Sequence, residues 1–188
     1  MQPSDFEKTV AKHFKGRKPA PVHLWDPPFC GDLEIHIDVN GRWFYQNSEI
    51  KRERLVRLFA NILKKENDKY FLVTPVEKVG ITVADVPFIA TEIDVISKEK
   101  TTLFKFMTNI GDITYLEKKE QFQILFKKST NEPQPYVNVR TNLFARIDRK
   151  SFYRLVEYCI EAPYKGEKWF GFNSNDIFFP LVKSEQLD

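Results

Sequence analysis

Glycine is scarce in this chain, and cysteine and histidine are scarcer still. The 188 residues include 7 glycines, 2 cysteines and 3 histidines. So few glycines argue against a phosphate-binding loop that is built on several of them. Cys30 and Cys159 provide no disulfide framework, which is typical of a protein from a reducing compartment. The histidines are scattered, and no spacing suits zinc, so we expect neither a metal nor a cofactor.

Long apolar runs and a strong charge of either sign are also missing. No run approaches the length of a membrane span, and the first residues lack the apolar segment of a secretory signal, so we expect a cytoplasmic protein. Hydrophobic residues make up 42% and charged residues 29%, which indicates a folded chain with one or two cores. The net charge of +3 permits an anionic ligand without requiring nucleic acid.

The first half of the chain predicts a hairpin between two helices. A capping box predicts a short helix over Ser4–Phe14, and a proline-rich linker follows it. The pair Asn40-Gly41 between two alternating segments predicts a hairpin. Apolar residues at three- and four-residue steps then predict a helix over Arg52–Lys65.

The second half is richer in predicted strands. Asp148 is placed to cap a second helix over Arg149–Glu161, and a hairpin around Asn173–Asn175 is expected to close the chain. The predicted strands are PFIATEIDVI, TLFKFMT, FQILFKK and YVNVRTNLFARI.

The two longer helices align with each other in sequence. When the two segments are aligned, Ile50 matches Ile147 and Arg57 matches Arg154, and an aromatic strand follows each helix. Such an alignment suggests a duplicated strand–helix–strand unit, although any two amphipathic helices match in part. The sequence therefore predicts an α+β fold of two related lobes with antiparallel sheets.

A thiol nucleophile and a nucleic-acid surface are two candidate functions with ordinary structural alternatives. Cys30 is close in sequence to His23 and His36, but activation needs hydrogen-bond contact, and a small side chain at a strand entry is the alternative. A charged outer face is ordinary for an amphipathic helix, and we do not expect nucleic acid as the partner. The basic residues that suggest such a face are Lys51, Arg52, Arg54, Arg57, Lys64 and Lys65.

Polar side chains interrupt three strand segments that would otherwise be core. Taken singly, each segment fits an edge strand or a turn. Together, with complementary charges in Glu77 and Arg140, they suggest a shared cleft in which the charges pair or meet a ligand. The interrupting residues are Thr74 and Glu77, Thr108 and Asn109 with Asp112, and Tyr136 and Arg140 with Asn138.

Several long motifs, in matching order, resemble a bacterial family. In these motifs the chain is similar to the domain-of-unknown-function family 1285 over about residues 21–181, nearly its whole length. Asn175 stands where the family pattern usually has glycine, and asparagine tolerates a left-handed turn there. The motifs are FCGDLEIHIDVNGRWFY, LVRLFANIL, YFLVTPVEKVGITVADVPF, TNIGD, PYVNVRTNLFARI and the final FFPL.

This resemblance implies an architecture and a limited function. Family members resemble two related α+β lobes, and the C-terminal lobe is similar to pleckstrin-homology-like folds. Carried onto this chain, it implies an α+β lobe over 22–86 and a pleckstrin-homology-like lobe over 87–188. Residues 1–21, before these lobes, hold the N-terminal helix and linker predicted above. The resemblance also implies a ligand site at the lobe interface, for something nucleotide-like, and a signalling role, with no established catalytic activity.

The implied site falls on the polar residues of the interrupted segments. We therefore expect a non-catalytic protein that holds a nucleotide-like or other anionic small molecule. Glu77 would accept a hydrogen bond from the ligand or pair with Arg140, whose forked guanidinium suits phosphate or carboxylate. Tyr136 would offer a face on which the ligand stacks. A protein or nucleic-acid interaction module and a small Cys-dependent enzyme are the alternatives. The expected site residues are Thr74, Glu77, Thr108, Asn109, Tyr136 and Arg140.

Overall fold

The computed structural model describes residues 10, 19–98, 101–127, 129–130 and 132–186. The helix predicted over Ser4–Phe14 lies outside the described residues, apart from Val10. The chain divides into two compact units, Met1–Pro87 and Phe88–Asp188. Strands dominate both units and the described residues contain few helices, so the predicted α+β class is too rich in helix.

The first unit is built on a six-stranded mixed sheet. Its strand order is β3-β2-β1-β6-β5-β4, in which β1 and β6 are parallel and the other neighbours are antiparallel. The helix α1 connects β3 to β4. The elements are β1 (Phe29–Ile37), β2 (Trp43–Tyr45), β3 (Ser48–Glu49), α1 (Glu53–Asn61), β4 (Leu63–Glu66), β5 (Lys69–Val73) and β6 (Lys78–Val83), after a 3₁₀ turn at Val22–Leu24.

The second unit combines another six-stranded sheet with a smaller one. The larger sheet has the order β10-β11-β12-β7-β8-β9, and the smaller has the order β13-β14-β15. The larger sheet is formed by β7 (Phe88–Lys98), β8 (Thr101–Thr108), β9 (Ile113–Tyr115), β10 (Phe122–Phe126), β11 (Pro133–Arg140) and β12 (Leu143–Ile147). It is followed by α2 (Arg149–Val156), β13 (Ile160–Tyr164), β14 (Glu167–Ser174) and β15 (Ile177–Lys183), with 3₁₀ turns at Lys119–Gln121 and Ser184–Gln186.

The two six-stranded sheets have the same connectivity, which is consistent with duplicated units. In each sheet the first and sixth strands pair in parallel at the centre, as β1 with β6 and β7 with β12. The helices occupy different places, because α1 joins the third and fourth strands of its sheet and α2 follows the sixth. The two helices that align in sequence therefore do not occupy corresponding positions in the duplicated units. The pleckstrin-homology-like likeness stays a prediction.

Both predicted helices end earlier than their apolar stripes suggested. The helix α1 ends at Asn61, and Leu63 begins β4 opposite Leu72. Similarly, α2 ends at Val156, and Ile160 begins β13. A short apolar run is buried equally well in a helix or in a strand, so periodicity alone cannot place such an end.

Short-range signals for turns and caps are confirmed. At the Asn40-Gly41 turn, Asp38 Oδ1 accepts from the backbone N–H groups of Asn40 and Arg42, at 2.9 Å each. The carboxylate of Asp148 caps α2 by accepting from Ser151 N–H at 2.7 Å. The closing hairpin turns at Asn175, whose φ of 50° is the left-handed conformation that asparagine tolerates.

Aromatic side chains fill the core where the smaller sheet of the second unit packs on the larger one. The Phe172 ring on β14 lies 4.9 Å from Phe104, 5.4 Å from Phe122 and 5.3 Å from Phe179, measured between ring centroids. Three of the four rings are almost fully buried. Burial of such large apolar side chains is the main force that holds the hairpin of β14 and β15 on the sheet.

A buried serine completes the same contact. The β8–β9 pairing continues as far as Leu116, whose N–H donates to Phe104 O at 2.9 Å. The second bond of this pair, from Phe104 N–H to Leu116 O, is replaced by a bridge through a side chain. Phe104 N–H donates to Ser174 Oγ at 3.1 Å, and that hydroxyl donates to Leu116 O at 2.6 Å. The hydroxyl of β14 is thus inserted into the ladder of the other sheet.

Candidate ligand-binding residues

The stretch Thr74–Glu77 forms the turn between β5 and β6. The Thr74 hydroxyl accepts from the backbone N–H groups of Val76 at 3.3 Å and Glu77 at 3.1 Å. Thr74 N–H donates to Glu77 O at 2.9 Å. Pro75 therefore ends the strand, as predicted, at a position where no ladder donor is needed. The Thr74 side chain is occupied in shaping the turn that presents Glu77.

Glu77 is the unusual member of this turn. It is 9% exposed, and its Oε1 is buried with no hydrogen-bond partner among the described residues. A buried acceptor that lacks a donor costs on the order of 1–3 kcal/mol, and more when the group is charged. Such an atom is a natural place for a hydrogen-bond donor from outside the described part of the chain.

Thr108 and Asn109 lie at the end of β8 in the second unit. The Thr108 hydroxyl accepts from Asp112 N–H at 3.0 Å and so shapes the turn before β9. Asn109 Oδ1 accepts from Ile89 N–H at 3.1 Å, while Asn109 N–H donates to Ile89 O at 2.8 Å. These bonds extend the β7–β8 pairing, which is the structural alternative that the sequence left open.

Tyr136 and Asn138 belong to β11. The Tyr136 ring is 2% exposed, and its hydroxyl donates to Gln134 Oε1 at 3.5 Å. Asn138 Nδ2 donates to Thr141 O at 3.0 Å across the turn to β12. Asn138 O also accepts from the Thr114 hydroxyl at 3.0 Å, which ties β9 to β11 although these strands are not neighbours in the sheet.

The contact between β9 and β11 brings Arg140 to Asp112, which precedes β9. Arg140 Nη1 donates to Asp112 Oδ2 in an ion pair of two largely buried side chains. The guanidinium also lies over the Phe88 ring, 5.1 Å from its centroid. Within the second unit, Asp112 is an ion-pair partner of Arg140. The pairing of Arg140 with Glu77 stays a prediction.

Burial dominates the electrostatics of this ion pair. It raises the pKa of Asp112 above the ordinary value of 3.8, and the guanidinium of Arg140 offsets part of that rise. Burial likewise lowers the pKa of Arg140, which an arginine tolerates while remaining protonated. The sequence placed Asp112 among the polar residues of the expected cleft, with a turn as the alternative, but its contact with Arg140, 28 residues along the chain, could not be predicted from neighbouring residues.

Two family models match the chain in succession. The N-terminal domain of the domain-of-unknown-function family DUF1285 matches residues 20–86, and the C-terminal domain of DUF1285 matches residues 87–181. The chain belongs to the DUF1285 family. The resemblance seen in the sequence motifs is thereby confirmed. Both models describe domains of unknown function, and no curated protein matches this DUF1285 chain.

Solved structures of two DUF1285 family proteins resemble the chain. One from Silicibacter pomeroyi DSS-3 is 44% identical, and the match covers 96% of this chain and 97% of that chain with a TM-score of 0.85. One from Shewanella baltica OS155 is 24% identical, and the match covers 66% of this chain and 91% of that chain with a TM-score of 0.52. The second likeness shows the fold alone.

The thiols of this DUF1285 chain have simple surroundings. Cys30 is exposed, and its Sγ donates to Pro28 O at 3.4 Å. The His36 ring stacks on Phe44, with 4.7 Å between centroids. Burial raises the pKa of the Cys159 thiol to about 12, so that sulfur is protonated at neutral pH.

Of the six basic residues expected on the first long helix, Arg54 and Arg57 lie on α1, and Lys51 and Arg52 precede it. Lys64 and Lys65 lie on β4 rather than on α1. Lys64 pairs with Glu66 at 2.9 Å, and Lys65 lies over the Tyr70 ring at 5.5 Å. The prediction of one continuous basic helix is therefore wrong, because the helix ends before these lysines.

Metal and membrane features are absent from the part of the chain that the structure describes. No group of three or more His, Cys, Asp or Glu side chains is arranged to hold a metal ion within that part. Nor does any described helix have the length and apolar character needed to cross a membrane. A shallow cavity of about 390 Å³ at the β4–β5 turn is lined by Glu66, Asn67, Asp68, Lys69 and Phe71, none of them an expected site residue.

Proposed function

We propose that this DUF1285 protein is a non-catalytic binding protein for a small anionic molecule of nucleotide-like chemistry. Arg140 is the residue that we assign to the anionic group. The single observation that supports the assignment best is a largely buried guanidinium, oriented by Asp112 on one side and by the Phe88 ring on another. A guanidinium presents five N–H donors in one plane, which suits the paired oxygens of phosphate or carboxylate.

Asp112 has two effects on an anion at Arg140. It orients the guanidinium before the ligand arrives, which lowers the entropy lost on binding. Its negative charge opposes the anion, but the raised pKa of Asp112 means that this carboxyl takes up a proton more readily than an ordinary aspartate. Binding should therefore strengthen as the pH falls toward the pKa of Asp112.

Glu77 supports a second feature of the proposed ligand. Its buried Oε1, which has no partner in the part of the chain that the structure describes, would accept a hydrogen bond from an amine or hydroxyl. A nucleotide carries such donors together with negatively charged phosphate. Thr74 and Thr108 are positioning residues in this proposal, because their hydroxyls shape the turns that carry Glu77 and Asp112. A signalling role is the context that we propose for such binding.

The test is a thermal-shift panel of nucleotides, inorganic phosphate and pyrophosphate. A ligand that binds only the folded protein stabilises it by about 2.7 kcal/mol when its concentration is roughly 100 times Kd. Removing Arg140 alone would leave Asp112 buried and unpaired, so the informative variant is Arg140→Gln combined with Asp112→Asn, which replaces the ion pair by two amides. Arg54→Gln, on the exposed face of α1, serves as the control, because it removes an arginine charge outside the proposed site.

We expect the double variant to lose the ligand-induced shift while Arg54→Gln keeps it. Asp112→Asn alone should enlarge the shift, since the guanidinium then no longer faces a competing carboxylate. Glu77→Gln should reduce it for nucleotides but not for inorganic phosphate, which has no amine to offer. A shift of equal size in wild type and in a folded double variant would refute the assignment of Arg140, and no shift with any compound would refute the proposal of an anionic ligand.

A further inference from the structure

Edge strands of a β-sheet expose unpaired backbone groups, and most edges in this protein are protected against pairing. Of the six strands that end the three described sheets, β3 and β9 are only two and three residues long. The remaining edges other than β10 carry charges or prolines. These protective residues are Lys64, Lys65 and Glu66 on β4, Glu161 and Pro163 on β13, and Pro180 and Lys183 on β15.

The edge strand β10 has none of this protection. Its five residues, Phe122–Phe126, contain neither a charge nor a proline, and they pair with β11 without a bulge. Leu125 is 52% exposed and Phe126 is 50% exposed. At its other end, the Phe122 ring is anchored among Phe172 and Phe179. The strand is thus held in an extended conformation while its free edge stays apolar.

The hydrogen-bond register shows which backbone groups of β10 face outward. Lys127 N–H donates to Glu132 O at 2.9 Å, so Lys127 occupies a hydrogen-bonded position opposite β11. Hydrogen-bonded positions recur at every second residue of an antiparallel pair, so Gln123 and Leu125 also face β11 with their backbone N–H and C=O groups. Ile124 and Phe126 therefore direct their N–H and C=O groups away from β11, toward the free edge. Phe122 directs its C=O the same way, while its N–H is used by the preceding 3₁₀ turn.

The sequence FQILF is nearly symmetrical about Ile124. When two such strands run antiparallel with Ile124 opposite Ile124, each Phe122 faces a Phe126 and each Gln123 faces a Leu125. The outward groups then match: Ile124 N–H meets Ile124 C=O, and Phe126 N–H meets Phe122 C=O, twice each by symmetry.

We propose that β10 is a homodimerisation edge that pairs antiparallel with β10 of a second copy about an axis at Ile124. The contact is isologous, since the same strand is used on both sides, and it closes after two copies. It would satisfy the backbone groups of the free edge and cover Leu125 and Phe126. The other edge strands of the described sheets are too short, carry charges or are interrupted by proline, so they are not suited to pair in this way.

Cysteine cross-linking tests the register directly. In the proposed pairing, residue 123 of one copy lies opposite residue 125 of the other, at a Cα separation of about 4.5 Å that a disulfide can span. The double variant Gln123→Cys with Leu125→Cys, in a Cys30→Ser background, should form a disulfide-linked dimer under mild oxidation. Either single variant should cross-link far more slowly, because its own copy lies diagonally, about 7–8 Å away.

Solution mass provides the second test. Wild type should shift with rising concentration from the mass of one chain, 22.2 kDa, toward twice that mass in multi-angle light scattering. Leu125→Glu places a carboxylate on an already exposed position of the edge and should abolish this shift. Ile124→Pro, which removes an outward N–H and leaves the β10–β11 ladder donors in place, should do the same.

Three results would overturn the proposal. A double-cysteine variant that cross-links no faster than the single variants excludes the register. A dimer that persists in folded Leu125→Glu and Ile124→Pro uses another surface. A wild type that stays monomeric, together with absence of cross-linking, leaves the edge to a different partner, such as an extended peptide of another protein.

Discussion

Replacing Ser174 with alanine should loosen the attachment of the β14–β15 hairpin to the β8–β9 ladder. The hydroxyl of this fully buried serine accepts from Phe104 N–H and donates to Leu116 O. Alanine removes both bonds and leaves one backbone donor and one backbone acceptor inside the protein. Ser174, Phe104 and Leu116 are all fully buried, so bulk water does not reach the two groups that the hydroxyl leaves behind.

The expected cost follows from the two orphaned groups. Each buried group without a partner costs about 1–3 kcal/mol, and partial closure of β9 onto β8 would recover some of it, so we expect a loss of about 2 kcal/mol. For a domain of roughly 100 residues, 1 kcal/mol corresponds to about 4–8 °C in Tm, which predicts a drop of roughly 8–16 °C for the second unit. Ser97→Ala, at an exposed position on β7, should change stability by less than about 0.5 kcal/mol.

Amide hydrogen exchange is the appropriate assay, because two units need not unfold together and a global signal would mix them. Exchange at the backbone of β8 and β14 reports the unfolding of the second unit. The Phe104 amide should lose more protection than its neighbours, since it loses its own acceptor. If Ser174→Ala is as stable as Ser97→Ala, the hydroxyl does not contribute as argued. If stability falls but Phe104 keeps its relative protection, the strands have closed and the cost comes from packing.

Three further predictions concern single side chains. Asp148→Ala should destabilise α2 by about 1 kcal/mol in urea unfolding, whereas Asp148→Asn should be nearly neutral because it keeps a cap acceptor. Lys64 and Lys78 lower the pKa of Glu66 below its ordinary value of 4.5. The difference in stability between wild type and Glu66→Gln should therefore be present above pH 4.5 and vanish as the pH falls through the lowered pKa. A difference that stays unchanged in acid would contradict this. At neutral pH a thiol reagent should label the exposed Cys30 much faster than the half-buried Cys159, as read by mass spectrometry, and fast labelling of Cys159 in the folded protein would contradict its raised pKa.

Local signals in the sequence predicted the turns and caps well. The left-handed turn at Asn40-Gly41, the cap at Asp148 and the closing hairpin depend on residues a few positions apart, and all three are present. The helix ends were predicted poorly. Leu63 continues the apolar stripe of α1, yet it belongs to β4, because pairing with β5 buries it as completely as another helical turn would.

The candidate site was predictable only in part. The polar residues within strands were visible in the sequence, and the structure divides them by their contacts. Thr74, Thr108 and Asn109 are used by turns and strand pairing. Glu77 instead keeps a buried oxygen for which the described residues offer no partner. The expectation that the residues share one cleft and bind a ligand stays a prediction.

The sequence by itself therefore determined the local elements and the family of this protein, because turn residues, caps and ordered motifs act over short distances. Only the tertiary structure decided which distant groups meet. The parallel pairing of β7 with β12, the ion pair of Asp112 with Arg140 and the insertion of Ser174 into the β8–β9 ladder join residues far apart in the chain. Such contacts arise from sheet order and from the burial of polar groups that must find partners, and neither leaves a signature in neighbouring residues.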